Sequence, residues 1–372
     1  MTKNDDKCVP ALRFKGFNND WAQRMLGEIS IVNSGKDYKQ LNKGNIPVYG
    51  TGGYMLSVDQ YLSKNDAVGI GRKGTIDHPQ YLKAPFWTVD TLFFMTVREN
   101  NNLHYLYSLF QKINWKKYDE STGLPSLSKK TINNISVKVP EYIEQKRIGN
   151  FISQVDSLLS LQQRKAKQLK LLKKAMLQDL FTDKNVPKLR FNGFDANWIQ
   201  CKLEKEALLT MGQSPSGSTY SDQPSTYILV QGNADLKNGW VKPRIWTTQI
   251  TKLAKKGDII ITVRAPAGKV GRTNFDVVLG RGVASIQGND FIFYLLSKMD
   301  MNKYWKKYAA GSTFESINSN DIKNTRVHVP NLPEQNRIAN LFLRLDDLIR
   351  FQQNKLNNLQ KTKQFLLQNM FI

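Results

Sequence analysis

Basic side chains stand next to glycines in the first half of the chain, and this combination favours anion binding. Arg72 and Lys73 lie between Gly71 and Gly74, and Lys83 follows. Lysine and arginine neutralise phosphate groups, and arginine can also bind guanine through two hydrogen bonds. Glycine leaves room for a close approach of the backbone. The cluster therefore predicts contacts with a nucleic acid.

A second basic group lies in the other half of the chain, and aromatic residues accompany both groups. The second group consists of Arg264, Lys269, Arg272 and Arg281. The aromatic residues are Tyr49, Tyr54, Tyr220 and Trp246. Each residue alone could equally be a solvated loop side chain. Together with a net charge of +23, the set favours a nucleic acid as partner over an anionic membrane.

Length and composition restrict the class of protein. The 372 residues suggest about two domains, and 40% hydrophobic residues exclude a disordered chain. No apolar run approaches the ~20 residues of a membrane span, and the first residues lack the apolar stretch of a signal peptide. The two cysteines, Cys8 and Cys201, lie too far apart in sequence for a disulfide scaffold. These features predict a cytoplasmic globular protein without a membrane segment.

Motifs typical of catalysis are incomplete in this sequence. The glycines at 69, 71 and 74 match a dinucleotide fingerprint, but Asp-His-Pro-Gln follows instead of a helix. Glu144-Gln145-Lys146 resembles part of a nuclease site, but the second half has Asn336 at the lysine position, which favours a helix-capping role. The three histidines are isolated, at His78, His104 and His328. We therefore predict a non-enzymatic chain with no catalytic, cofactor-binding or metal-binding residues and no small-molecule substrate.

The chain repeats itself. Residues 9–29 and 186–206 share Val-Pro-x-Leu-Arg-Phe-x-Gly-Phe-x-x-x-Trp at an offset of 177. Residues 132–181 and 322–371 match at an offset of 190, including Val-Pro and Glu-Gln-x-Arg-Ile. Between these matches, residues 30–131 and 207–321 share little. The sequence therefore predicts a tandem duplication in which two domains have similar frames and different interiors.

Each half ends in a segment with the composition of one long helix. Apolar residues recur there at a spacing of seven, which predicts a coiled-coil seam. The seam residues are Ile148, Val155, Gln162, Leu169 and Met176 in the first helix, and Ile338, Leu345, Gln352, Leu359 and Leu366 in the second. The two glutamines either face each other in an antiparallel pair or reach into solvent. Thirty-eight residues give a rod of about 57 Å, longer than one turn of DNA.

The interiors of both halves are predicted to be rich in β-strands. β-Branched and aromatic runs bounded by glycine or proline predict strands. These runs are 46–50, 66–71, 86–97 and 135–140 in the first half, and 225–232, 258–265, 277–287 and 325–330 in the second. One helix per half is predicted, at 102–113 and at 290–300, the latter with Asp290 as N-cap. The predicted fold class is α+β, with two tandem mixed α/β domains.

These motifs together resemble the specificity subunit of type I restriction–modification systems. The resemblance is carried by the two repeated motifs and by the runs at 84–91, 263–272 and 279–286, and it spans the whole chain. It implies two target-recognition domains, at 1–140 and 183–330. It also implies two spacer helices, at 141–182 and 331–372, that pair as an antiparallel coiled coil with pseudo-twofold symmetry.

The resemblance further implies a function and partners. Each domain would bind one half of a bipartite, asymmetric site in double-stranded DNA, and the helices would set the unread spacer. Two methyltransferase subunits, which use S-adenosylmethionine, would dock on the chain together with two restriction subunits that use ATP and magnesium. The chain itself would need no cofactor. Leu332-Pro333 replaces Tyr142-Ile143 in the second half, which leaves open where that helix begins.

Two other functions are compatible with parts of the sequence. One is a two-headed coiled-coil scaffold that binds protein partners and touches nucleic acid without sequence specificity. The other is an autonomous nuclease or methyltransferase, for which the sequence offers no complete set of catalytic residues. Base-specific protection in a methylation assay distinguishes the first from a specificity subunit, and activity of the chain alone would indicate the second.

Overall fold

The computed structural model describes residues 9–309 and 316–372, so Cys8 lies outside the described residues. The chain forms two compact units. One unit consists of the residues up to Arg164 together with Gln353–Ile372, and the other consists of Lys165–Gln352. Each unit therefore contains one globular half of the chain and a part of each long helix.

The first unit contains short strands and helices before the first long helix. Its strands are β1 (Ala22–Met25), β2 (Ser30–Ser34), β3 (Lys43–Gly50), β4 (Gly53–Val58), β5 (Ala67–Gly71), β6 (Gln80–Leu82), β7 (Trp87–Thr88), β8 (Leu92–Val97) and β9 (Ser136–Val139). Its helices are α1 (Leu26–Ile29), α2 (Leu103–Lys112), α3 (Lys129–Asn133) and the beginning of α4 (Tyr142–Leu180). The strands form an antiparallel sheet in the order β2-β8-β5-β6, a sheet in the order β4-β3-β7, and the pair β1-β9.

The second unit follows the same plan with longer sheets. Its strands are β10 (Ile199–Lys202), β11 (Leu208–Met211), β12 (Tyr220–Ser221), β13 (Tyr227–Val230), β14 (Leu236–Lys237), β15 (Trp240–Val241), β16 (Ile245–Thr247), β17 (Leu253–Ala254), β18 (Ile259–Thr262), β19 (Val270–Arg272), β20 (Val277–Leu279), β21 (Val283–Gln287) and β22 (Arg326–Val329). Its helices are α5 (Asp290–Met301), α6 (Lys306–Ala309), α7 (Ser319–Lys323) and the beginning of α8 (Leu332–Asn369). The sheet orders are β11-β21-β18-β19-β15-β14, β12-β16-β13-β20-β17 and β10-β22.

The central strands of each unit are buried on both faces. In β8, Phe93 and Met95 join the core that faces the helices, whereas Leu92 and Phe94 join a second core under the other sheet. In β18, Ile261 joins the core that faces the helices, and Ile260 joins the second core under the other sheet. Successive side chains of a strand point to opposite faces, so a continuous apolar run is what such a strand requires.

The predicted strands and helices are present, with two interruptions and one corrected cap. The run at 86–97 is broken between β7 and β8 by a turn in which Leu92 donates to the carbonyl of Val89. The run at 277–287 is broken by the turn between β20 and β21. Asp290 is not the N-cap of α5. That position belongs to Asn289, whose side chain accepts a hydrogen bond from the N–H of Ile292 at 3.0 Å.

The two long helices begin at equivalent residues of the repeat, Tyr142 and Leu332. Pro333 therefore lies in the first turn of α8. Proline is tolerated there because the first N–H groups of a helix have no partner within the helix. The replacement of Tyr142-Ile143 by Leu332-Pro333 leaves the helix start unchanged.

Within each unit, the first turns of one long helix pack against the last turns of the other. In the first unit, Ile148 and Ile152 share a core with Leu366 and Met370. In the second unit, Leu177 and Leu180 share a core with Ile338 and Phe342. This packing is antiparallel, and it confirms the α+β fold class with paired long helices.

The ten residues predicted for the coiled-coil seam are all buried or partly buried. The exposed fractions of Gln162 and Gln352 are only 7% and 4%, so neither amide reaches into solvent. Both glutamines have interaction partners. Their mutual contact remains a prediction.

One ion pair between the helices occurs in each unit. Asp156 accepts a hydrogen bond from Lys363 at 2.5 Å in the first unit, and Asp346 accepts one from Lys173 at 2.5 Å in the second. The offset of 190 relates Asp156 to Asp346 and Lys173 to Lys363, so the same pair is built twice with the helices exchanged. Lys173 and Lys363 occupy otherwise apolar rows of the heptads, and an acidic residue of the other helix compensates the charge of each. The pairs therefore favour one register of the helices.

Reversing one of these charges tests the register. Replacing Asp156 by lysine places two cations together, and we expect it to lower the free energy of unfolding by about 1.5–3 kcal/mol, the value of a hydrogen bond to a charged group. The double change D156K/K363D restores the pair in the opposite direction and recovers most of the stability. Urea unfolding of both variants measures the effect. Equal destabilisation by the single and the double change would contradict the prediction.

Candidate nucleic-acid interface

The two repeated motifs bind each other within each unit. Arg13 donates to both oxygens of Glu144, at 2.7 and 2.8 Å, and Arg190 binds Glu334 in the same way at 2.8 Å. Both carboxylates are almost fully buried, with exposed fractions of 2% and 1%. The glutamate after the Val-Pro motif is therefore a structural anchor for the start of each domain. Arg13 binds both carboxylate oxygens of Glu144, and the helix-capping role predicted for Glu144-Gln145-Lys146 remains a prediction.

The neighbouring residues of these motifs complete the frame. Gln145 donates to the carbonyl of Pro140 at 2.9 Å and accepts from the N–H of Asn102 at 3.0 Å, which joins the helices α4 and α2. Arg147 lies 5.4 Å from the ring of Phe14, and Arg337 lies 5.4 Å from the ring of Phe191. The repeated residues thus serve the fold, and any specific recognition must come from the interiors that differ.

The basic loop after β5 borders an open cleft in the first unit. Arg72 and Lys73 are exposed, and the Arg72 guanidinium lies 5.7 Å from the ring of Phe93. The cleft has a volume of about 350 Å³. It is lined by Ser34, Arg72, Lys73, Phe93, Ser126, Leu127, Ser128 and Lys129. Three cations and three hydroxyl groups around one aromatic ring suit an anionic ligand such as a phosphate.

Backbone hydrogen bonds hold this loop in place. The N–H of Arg72 donates to the carbonyl of Thr91 at 2.8 Å, and its carbonyl accepts from Leu127 at 2.9 Å. Gly71 approaches Thr75 so closely that an added Cβ would lie 2.0 Å from the carbonyl oxygen. The glycine beside Arg72 is thus required by a close approach within the chain.

The other predicted residues of the first unit lie on neighbouring strands and loops. Tyr49 and Tyr54 face each other across β3 and β4, with ring centroids 6.5 Å apart, and Tyr54 is largely exposed. Lys83 is exposed after β6. Exposed tyrosine pairs offer stacking and hydrogen bonding to a base.

In the second unit, Arg264 and Arg281 are exposed on adjacent turns. The N–H of Val263 donates to the carbonyl of Gly282 at 2.9 Å, which joins the end of β18 to the turn that carries Arg281. The N–H of Arg281 donates to the hydroxyl oxygen of Ser214 at 3.1 Å. A Cβ on Gly282 would lie 2.1 Å from the carbonyl oxygen of Gln231. The fold therefore presents Arg281 on a tightly fixed turn.

Lys269 and Arg272 are engaged within the protein. Lys269 donates to Asp300 at 2.8 Å. Arg272 forms an ion pair with Asp290 and lies 4.1 Å from the ring of Phe293, and its side chain is only 13% exposed. These contacts hold the Arg272 guanidinium within the protein, and it is therefore not presented for the nucleic-acid contact that its neighbouring glycine suggested. We therefore interpret Arg272 as a packing residue of α5 and β19.

Tyr220 and Trp246 are partly buried on neighbouring strands. Tyr220 donates to the carbonyl of Pro215 at 3.3 Å, and Ser221 pairs with Trp246 between β12 and β16. The structure places Tyr220 apart from Arg264 in strand order, on a different sheet. Arg281, by contrast, follows β20 of the same sheet as β12, whereas Arg264 follows β18 of the other sheet.

Sequence reasoning missed Lys129 and the serines of the cleft. Lys129 begins α3, and Ser128 caps that helix by accepting from the N–H of Thr131 at 3.1 Å. The run Ser-Leu-Ser-Lys-Lys at 126–130 carried a capping signal. Its proximity to Arg72 depends on a long-range contact that no local pattern encodes.

The described residues show no activated thiol and no metal-binding cluster. Burial, together with the nearby Glu206, raises the pKa of the Cys201 thiol to about 11, so at neutral pH the thiol is protonated and a poor nucleophile. In residues 9–309 and 316–372, no three His, Cys, Asp or Glu side chains are grouped as a metal site would require. Across the same residues, no helix has both the length and the apolar character needed to cross a bilayer.

A comparison with known protein families identifies the family to which the repeated halves belong. The model of the family described as "Type I restriction modification DNA specificity domain" matches twice, at residues 18–171 and 210–361. The chain belongs to this family. The two matches correspond to the two halves of the duplication, so the specificity domain occurs twice in one chain.

Individual relatives agree with this assignment. A putative type I restriction enzyme MjaX specificity subunit from Methanocaldococcus jannaschii is 28% identical, over 73% of this chain and 69% of the relative. A putative type I specificity subunit from Haemophilus influenzae, S.HindORF215P, is 22% identical over 90% of this chain and 89% of the relative. The crystal structure of a type I restriction–modification S subunit from M. genitalium has a TM-score of 0.69 at 12% identity. It covers 98% of this chain and 99% of its own. This last likeness concerns the fold.

Proposed function

We propose that this specificity subunit binds double-stranded DNA and that each of its two domains reads one half of a bipartite, asymmetric site. The single observation that carries the proposal is the contrast within the duplication. Arg13, Glu144 and their equivalents repeat the frame, whereas most exposed residues of the loops differ between the units. Two copies of one frame with different loops suit the recognition of two different short sequences.

The long helices separate the two recognition sites in this proposal and dock the methyltransferase subunits. Exposed apolar side chains on the helices support docking, because such residues favour burial against a protein partner. They include Leu158 and Leu161 on α4, and their equivalents Leu348 and Phe351 on α8. Two methyltransferase and two restriction subunits complete the proposed complex. Those partners bind S-adenosylmethionine, ATP and magnesium, and this chain contributes no catalytic group. We place the complex in the cytoplasm, where its DNA lies.

Mapping the methylated sites tests the proposed function. The subunit is expressed with its methyltransferase partners, and the modified bases of the host DNA are sequenced. We expect one sequence composed of two short recognised segments separated by an unread spacer of constant length. A single continuous recognised segment would contradict the bipartite site. Methylation without any sequence preference would instead support the scaffold that binds nucleic acid non-specifically.

Replacing Arg281 by glutamine tests the assignment of one domain to one half-site. Arg281 is exposed on a fixed turn of the second unit, so we expect the change to reduce discrimination at one position of one half-site by about 1–3 kcal/mol, the value of a bidentate arginine–guanine contact. The other half-site stays unchanged. Arg272→Gln is the control, because Arg272 is held by Asp290 and Phe293 and should affect stability instead of sequence choice. Equal weakening of both half-sites by R281Q would indicate a phosphate contact.

A further inference from the structure

One motif inside the diverged interiors is shared by both halves. Trp-Lys-Lys-Tyr occurs at residues 115–118 and again at 305–308, at the offset of 190 that also relates the two long helices. The expectation that the interiors share little is therefore wrong at this position. Four identical residues within otherwise different sequence need a physical explanation.

Core packing explains the tryptophans. Trp115 is buried, and its Nε1–H donates to the carbonyl of Phe110 at 2.8 Å. Trp305 is buried against Gly268, where an added Cβ would lie 2.2 Å from a carbon of the indole ring. Each tryptophan thus fixes the turn that follows α2 or α5.

Core packing does not explain the lysines. All four, Lys116, Lys117, Lys306 and Lys307, are exposed. Lys116 donates to Asp77 at 2.9 Å in the first unit, whereas Lys307 in the second lies 3.7 Å from the ring centre of Tyr304. These contacts involve different positions of the motif, since Lys116 corresponds to Lys306 and Lys117 to Lys307, and among the described residues no contact is common to both turns.

Both turns lie beside the basic loop of their own unit. In the first unit, Asp77 belongs to the loop that carries Arg72 and Lys73, and Lys116 binds it. In the second unit, Gly268 belongs to the loop between Arg264 and Lys269, and it packs against Trp305. The shared lysines therefore extend the basic surface at the same place in both units.

We propose that the two Trp-Lys-Lys-Tyr turns are matched contacts to the phosphate backbone of DNA, one in each unit. This proposal rests on the proposed DNA-binding function. The backbone presents the same phosphates at every base pair, so a phosphate contact can be identical in two domains that read different sequences. A residue that reads bases must instead differ between the domains. If phosphate contacts are shared and base contacts differ, the phosphate-binding residues should be the same in both units, as these lysines are.

The salt dependence of DNA binding tests the proposal. The complex with its methyltransferase subunits is prepared with K116Q/K117Q, with K306Q/K307Q and without changes, and its binding to a cognate duplex and a scrambled duplex is measured over a range of salt. We expect the slope of log affinity against log salt to become shallower by roughly 0.9 for each lost contact. Either pair should give the same change on both duplexes, and the methylated sequence should stay the same. The double arginine variants K116R/K117R and K306R/K307R should keep the original slope.

Four results are decisive. An unchanged slope for either lysine pair, or an altered methylated sequence, overturns the matched phosphate contacts. The control K202Q/K205Q removes the same charge from the segment around β10 and should leave the slope unchanged, so an equal effect there indicates general electrostatics and also overturns the proposal. If the unchanged complex does not distinguish the two duplexes, the proposed function itself fails.

Discussion

Replacing Arg13 by methionine is expected to lower the free energy of unfolding by about 3–5 kcal/mol, because it leaves the buried carboxylate of Glu144 without its partner. The same change at Arg190 should have a similar effect through Glu334. Arg13 also donates to the carbonyl of Asn19 at 2.6 Å, so the loss extends to the turn after it. Urea unfolding measures both variants.

The double change R13M/E144L separates the charge from the packing. It removes the buried carboxylate together with its partner, and we expect it to recover a large part of the stability lost in R13M. Lys15→Met is the matched control, since Lys15 lies in the same motif but is exposed, and its effect should stay within about 0.5 kcal/mol. A loss in R13M no larger than in K15M would show that the ion pair contributes little.

Replacing Phe371 by alanine is the second change with a large expected effect. Phe371 is buried with its ring centroid 5.3 Å from Tyr105 and 6.4 Å from Trp21, so the residues directly after α8 enter the core of the first unit. Removing a buried phenylalanine costs about 3–5 kcal/mol. Phe181→Ala should have the corresponding effect in the second unit, where Phe181 packs against Phe291 and Phe342.

The matched control for this change lies on α8, six residues before Phe371. Phe365 is largely exposed, and Phe365→Ala should change the free energy of unfolding by no more than about 0.5 kcal/mol. Thermal unfolding of the two variants gives the comparison. Similar midpoints for F371A and F365A would mean that the end of α8 does not stabilise the first unit.

Periodic and repeated features were predictable from the sequence. The heptads of α4 and α8 and buried strands such as β5 and β18 depend on patterns within a short stretch of chain, and the duplication is visible when two distant stretches are compared. The α+β class followed from the same patterns. Asn289 is the N-cap of α5, where Asp290 was predicted. Both adjacent residues carry a side-chain oxygen that can accept a hydrogen bond, and the helix begins after the earlier of the two.

The candidate interface was harder to predict, because it depends on partners distant in sequence. Arg264 and Arg272 are equally basic residues of the run at 263–272, yet Arg272 lies on β19, where an acidic residue and an aromatic ring hold its side chain. Lys129 reaches the cleft of Arg72 through folding alone. The Trp-Lys-Lys-Tyr repeat was present in the sequence, but its meaning required the burial of the tryptophans and the exposure of the lysines.

The division of the chain between the two units has a consequence for its synthesis. Lys165–Gln352 form one unit from a single continuous stretch, whereas the first unit needs Gln353–Ile372 to complete its core. Trp21 and Tyr105 emerge from the ribosome more than two hundred residues before Phe371. At about 5–20 residues per second, the surface they form stays uncovered for at least ten seconds or so. The half that is made first is therefore completed last, and its uncovered apolar surface is prone to aggregation during that interval.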